Sequence, residues 1–160
     1  MFPDVSVFTI GVYGRTASQF FGTLEQAGID NFCDIRRRRA VRGPAYSFVN
    51  SVRLQAELAA MHVAYRHELD LAPTTAIRAV QKQVDQQQQV LKRSRDTLSA
   101  QFTELYFQQI ESFDFGSLFS SLTGTRRLAF FCVESVASAC HRSLVAAQIA
   151  RQFGLTAVHL

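Results

Sequence analysis

Two rhythms of apolar residues alternate along this chain. Short β-rich runs give way to stretches in which apolar positions recur every three or four residues, the signature of strands alternating with amphipathic helices. Val5–Val12 predicts a first strand. Gly11 and Gly14 bracket a turn holding Tyr13 and Arg15, and Thr16-Ala-Ser-Gln19 has the form of a capping box. Phe20, Phe21, Leu24 and Ala27 then share one helical face, closed by Gly28. Ile29–Arg36 predicts the second strand. A strand, a helix and a strand in that order make a βαβ unit with a parallel pair.

The pattern continues in the same manner. Ser51 is placed to cap a helix whose inner face is Leu54, Leu58 and Met61. His62–Glu68 predicts a third strand with Val63, Ala64 and Tyr65 inside, and a loop containing Pro73 follows. Thr75–Asp96 reads as a polar helix with only a thin apolar stripe of Ile77, Val80, Val84 and Leu91. Its expected role is a solvated helix with a narrow buried face; a partner-binding helix is the alternative. Thr97–Ser112 and Phe115–Leu122 predict two further helices, and Leu128–Glu134 a buried strand. Leu144, Val145, Ile149 and Phe153 mark the last helix, before a final strand over Thr156–Leu160. With no internal repeat and no linker, residues 1–160 read as a single domain. The expected fold is α/β, a three-layer sandwich with a mainly parallel sheet of about five strands.

Composition narrows the setting. Hydrophobic residues make up 48% and charged ones 19%, the balance of a globular rather than a disordered chain. No apolar run reaches membrane-spanning length, and the start MFPDVSVFTIG lacks the basic region and cleavage site of a signal peptide. Three cysteines without a regular framework predict a reducing, cytoplasmic location. The net charge of +4 is modest, but its placement is uneven. Arg36, Arg37, Arg38, Arg39 and Arg42 lie within seven positions, directly after a strand end.

Candidate chemistry concentrates in Leu128–Ser143, where Cys132, Glu134, Cys140, His141 and Arg142 fall between a strand and a helix start. Open α/β sheets bind ligands at the carboxyl ends of their strands. Cys140, beside His141 and Arg142 at a helix amino end, has the setting of a thiolate, and Cys132 is a second candidate thiol. Glu134 or Asp34 can serve as general base, or as an ion-pair partner that fixes the loop. His141 and Arg142 can hold an anion at the helix start. Arg15, Arg36, Arg38 and Arg42 would hold phosphate, Tyr46 or Phe48 would stack on a base, and His67 would complete the rim. The seven-residue gap between Cys132 and Cys140 is not a zinc-knuckle spacing, so no metal and no cofactor is assigned.

These residues also carry a resemblance. Phe8-Thr-Ile-Gly11, Phe20–Ile29, Asp34-Ile-Arg36 with the basic loop to Phe48, Tyr65–Leu69, and above all Cys132-Val-Glu134 with Cys140-His-Arg142-Ser-Leu resemble the family catalogued as domain of unknown function 488. The resemblance implies this fold and a rim pocket but no settled reaction; a DNA-repair association of some relatives implies a nucleic-acid partner. A fainter architectural analogy is to rhodanese and cysteine-phosphatase layouts, although nine residues separate Cys132 from Arg142 here. The leading expectation is an anion-binding pocket for nucleic acid or a nucleotide, with possible chemistry on it. The alternatives are a thiol-dependent enzyme, working by sulfur transfer or cysteine-based phosphoryl transfer, and a non-catalytic interaction module.

Overall fold

The apolar runs become short strands because their residues alternate between two covered faces. A computed structural model describes residues 4–160. Its strands are β1 (Ser6–Ile10), β2 (Asn31–Asp34), β3 (Ala64–His67), β4 (Arg127–Phe131) and β5 (Val158–His159). Among the described residues these five form one sheet in the order β3-β2-β4-β1-β5, every pairing parallel. Helices α1 (Ala17–Gln26), α2 (Ser51–Ala60), α3 (Thr75–Gln87), α4 (Ala100–Ile110), α5 (Phe115–Ser120) and α6 (His141–Phe153) connect them. The α/β sandwich with a parallel sheet is therefore the observed architecture, and the sheet is wholly rather than mainly parallel. Among the described residues no helix is long and apolar enough to cross a membrane.

Right-handed crossovers fix the layers. α1 and α2 carry the chain from β1 to β2 and on to β3, on one face. α6 carries it from β4 to β5 and so lies on the other, with α4 against it: the Tyr106 ring of α4 meets His141 of α6 edge-on at 5.4 Å. On the α1 face, Phe20 anchors an aromatic cluster with Phe32, Phe48 and Phe131. The Thr16 capping box is formed as the sequence predicts, the Thr16 and Gln19 side chains each taking the other's backbone amide.

The structure departs from the sequence expectations where packing overrides pattern. Each strand is shorter than its apolar run, because pairing stops where the loops turn away at the carboxyl edge. β3 is an edge strand: Ala64 is exposed and Tyr65 only half-buried, so of the three residues expected inside only Val63 is buried. α2 begins after Asn50, not through a Ser51 cap, and the Asn50 side chain accepts from the Val41 amide instead of capping the helix. The predicted helix over Thr75–Asp96 ends at Gln87; Gln89 takes a left-handed φ of 53° and a 3-10 turn over Lys92–Ser94 follows. Leu91, expected on the apolar stripe, is 75% exposed. Gln81 and Asp85 are buried in its place.

At the amino edge of the sheet, Asp30 ties the turn before β4 to the start of β2. It accepts from the Thr125 hydroxyl at 2.7 Å, the Arg127 amide at 2.8 Å, the Asn31 side chain at 2.7 Å, and the Thr125 amide. Burial works against its charge, but these hydrogen bonds outweigh it and hold the carboxyl below its ordinary range. Its contribution is thus present above the ordinary carboxylate range and is lost as pH falls through the folded value. Asp30→Asn is expected to lower stability at neutral pH and flatten the acid side of the stability profile, read by urea unfolding between about pH 3 and 7. Phe48→Ala should cost about 3–5 kcal/mol of unfolding free energy by opening a cavity in the aromatic cluster.

Candidate functional site

β4 lies between β2 and β1, and the chain leaves it for the face opposite to theirs. Its carboxyl end is therefore a topological switch point, where such sheets open a crevice. The alternation of side chains sends Phe131 toward α1 and Cys132 toward α4 and α6. The chain runs through an exposed loop at Ser135–Ser138 before Cys140 and His141 open α6.

Cys132, Cys140 and His141 come together here. Their two sulfurs and a ring nitrogen all lie within 4.8 Å of one another, and all three residues are buried. The Cys140 sulfur is 3.9 Å from His141 Nδ1. His141 Nε2 donates to the Ile35 carbonyl at 3.0 Å, which fixes the ring. Burial opposes a Cys140 thiolate, but the neighbouring Cys132 thiol and the adjacent His141 and Arg142 outweigh it and hold the thiol well below its ordinary range. Cys132, beside Cys140 and itself buried, is pushed well above its own.

Arg142, assigned to an anion by its sequence position, is spent on the loop. It is 1% exposed. Nη1 donates to the Glu134 carbonyl, Nη2 to the Ser135 carbonyl at 3.2 Å, and Nε to the Thr9 hydroxyl at 3.3 Å. Gly11 lies under this loop, where an added Cβ would stand 1.9 Å from the Glu134 carbonyl oxygen. Arg36 is likewise internal. It forms a bidentate pair with buried Asp34 at 2.9 and 2.8 Å, donates to the Val49 carbonyl, and lies over the Phe131 ring. Asp34 also accepts from Tyr65 at 2.9 Å, so its oxygens are committed. Both arginines are thus engaged by internal partners, although Arg36 Nη1 is buried without a hydrogen-bond partner.

The other predicted residues divide between core and rim. Phe48 is 6% exposed in the aromatic cluster, which removes it as a base-stacking side chain. Tyr46 accepts from the Gly14 amide and meets Tyr13 edge-on at 5.1 Å. His67 Nε2 donates to the Arg36 carbonyl at 2.7 Å and staples the β2 exit to β3. Arg15 donates to Thr23, and burial together with the Arg142 charge disfavours its protonated form. Arg38 and Arg42 are exposed. Glu134 is buried, with one oxygen 3.4 Å from Lys92 and 4.0 Å from Arg95; burial raises its carboxyl and Lys92 works against that rise.

Two groups escaped the sequence reading. One is a buried polar clamp. Arg95 donates to the Ala139 carbonyl at 3.1 and 3.0 Å and to Asp85 at 2.8 Å; Asp85 is held by Gln81, which also takes the Ser99 amide. The polar residues of α3 therefore hold the far end of the cysteine loop. The sparse apolar stripe was the available signal. The other group is a shallow cleft at the start of α2, lined by Arg39, Ala40, Asn50, Ser51, Val52 and Arg53. A second cleft, edged by Arg37, carries Asp70 and Asp114 and so suits an anion poorly.

The fold and site thus define a parallel α/β domain with a cysteine–histidine cluster and a basic loop at its carboxyl edge. Residues 16–149 match the model of the family described as Domain of unknown function DUF488. The match spans most of the chain, and the protein belongs to that family. Neither the curated proteins nor the solved structures contain a match to it.

Gly11→Ala is expected to cost about 1–3 kcal/mol, because backbone rather than a pliable side chain stands in the way. Arg95→Ala should leave the Ala139 carbonyl and Asp85 short of a donor and cost about as much. Amide hydrogen exchange across residues 132–142 will show whether the loss is local, with faster exchange there than at β1 in both variants.

Proposed function

We propose that this protein binds a phosphate-bearing ligand of the nucleic-acid or nucleotide type on its basic carboxyl-edge loop. The observation that carries the reading is the cleft at the start of α2. Arg39 and Arg53 flank a helix amino end that no side chain caps. The Ser51 amide donates to the Arg39 carbonyl at 2.9 Å, so the N–H groups offered to phosphate oxygens are those of Val52 and Arg53, beside the two guanidinium forks. Arg38 and Arg42 are exposed in the same loop and extend the positive surface. With Arg36 and Arg142 spent internally, these four arginines are the ones we assign to the ligand. The setting we infer is the cytoplasm, since three cysteines without a disulfide framework suit a reducing compartment.

A thiol enzyme is the competing reading. It has to overcome burial: Cys140 is 1% exposed, and a substrate reaches it only when the loop above opens.

Fluorescence anisotropy with a short single-stranded oligonucleotide and with a mononucleotide, across a salt series, tests the proposal. Binding should weaken steeply with salt, and Arg39→Ala and Arg53→Ala should each reduce the slope of log affinity against log salt by about one. Binding that is absent at low salt, or that ignores salt and both substitutions, overturns it.

A further inference from the structure

The cysteine–histidine cluster lies on the α4–α6 face and has no part in the phosphate reading. Its chemistry points elsewhere. We propose that Cys132, Cys140 and His141 form a metal site for zinc or a similar borderline-soft divalent ion.

Four observations carry this. First, the donor atoms converge. All three lie within 4.8 Å of one another, with Cys140 Sγ and His141 Nδ1 at 3.9 Å. Tetrahedral zinc, with bonds of about 2.3 Å to sulfur and 2.0 Å to nitrogen, places such donors about 3.5–3.8 Å apart. An inward movement of no more than about 1 Å closes the site. Second, His141 has the outer-shell arrangement of a metal ligand. Its Nε2 proton is committed to the Ile35 carbonyl at 3.0 Å, so in the neutral ring the lone pair is on Nδ1, the atom that faces Cys140. Third, the charge balances. Two thiolates buried together repel one another, but with one divalent cation and a neutral imidazole the cluster carries no net charge and suits its buried place. Each thiol releases its proton as the ion binds. Fourth, two thiolates and an imidazole select zinc over magnesium or calcium, which take oxygen donors.

The spacing is unusual because the ligands come from tertiary structure and not from a knuckle. Cys132 is the first residue past β4, Cys140 is the cap residue of α6, and His141 is its first residue. Arg142 and Arg95 fix the two ends of the loop between them. Ser135, Val136 and Ser138 in this loop are exposed, while the three donor residues are buried.

The test uses the full-length chain, reduced and stripped with a chelator, then titrated with cobalt(II) and back-titrated with zinc. One equivalent of cobalt should produce a thiolate-to-metal charge-transfer band in the near ultraviolet and the visible bands of a tetrahedral ion, both abolished by zinc. Cys132→Ser, Cys140→Ser and His141→Asn should each weaken zinc by more than about 100-fold, while Cys33→Ser, outside the cluster, leaves affinity unchanged. If a variant fails to fold, alkylation of the wild type read by mass spectrometry decides. Zinc should slow modification of Cys132 and Cys140 together and by more than that of Cys33, which is wholly buried and is protected only as far as zinc stabilises the fold. Absence of the charge-transfer band at one equivalent overturns the proposal, as does zinc binding that survives Cys140→Ser. So does alkylation of Cys132 and Cys140 that zinc leaves unaltered, or a Cys132–Cys140 disulfide that forms equally fast with and without zinc.

Discussion

The Arg142 guanidinium holding two loop carbonyls is the contact on which the carboxyl edge depends. A loop that leaves the centre of a parallel sheet brings backbone oxygens into a buried place, where each must find a donor. Arg142 supplies them from the first turn of α6, with Glu134 and Ser135 as acceptors. Its remaining nitrogen reaches Thr9, whose hydroxyl contacts His159 at 2.6 Å. One side chain thus joins the exit of β4, the start of α6, and strands β1 and β5. A lysine has one donor head and no fork, and cannot serve all these acceptors at once. Gly11 is part of the same constraint, since only a residue without Cβ lets the loop come so close.

α3 makes the same point with different residues. A helix with few apolar positions ordinarily reads as a solvated one, and most of its surface is solvated. Yet the side that matters buries Gln81 and Asp85, and these have meaning only through Arg95 beyond the helix end. A buried polar group is costly unless bonded, and here every step in the chain from Ser99 to Ala139 is bonded. Beyond the helix end at Gln87 the chain returns to the cysteine loop, where Arg95 donates to the Ala139 carbonyl and the Asp96 carbonyl accepts from the Ser138 hydroxyl.

The alternation of strands and helices was legible because period and length suffice to detect it, and a buried parallel strand such as Leu128–Phe131 is apolar throughout. The meeting of Cys132, Cys140 and His141 was legible as well, since chemistry-bearing residues in a parallel sheet gather at strand exits. What each residue does there was not legible. Arg36 and Arg142 read as anion ligands because their charge is visible and their partners are not: Asp34 is two residues from Arg36, but the acceptors of Arg142 are backbone carbonyls that exist at every position. Phe48 sits among arginines in sequence, yet its ring belongs to a cluster assembled from α1, β2 and β4. Arg39 and Arg53 are fourteen positions apart, and only the turn into α2 puts them on one cleft.

The switch point explains how one edge holds two unlike environments. β4 stands between strands whose connections leave for the opposite face, so the loops at this edge go to both sides of the sheet. On the α1–α2 side, the exposed guanidinium groups of the basic loop remain in water, where charge is cheap to keep and easy to offer to a phosphate. On the α4–α6 side, the thiols and the imidazole are enclosed beside Tyr106, whose own hydroxyl is pushed upward by burial and by the nearby cysteines. Enclosure makes any charge there expensive unless it is matched within a few ångströms. A single pocket serving both the arginines and the cysteines would need those requirements to be met in one place, and the sheet separates them by sending Phe131 one way and Cys132 the other.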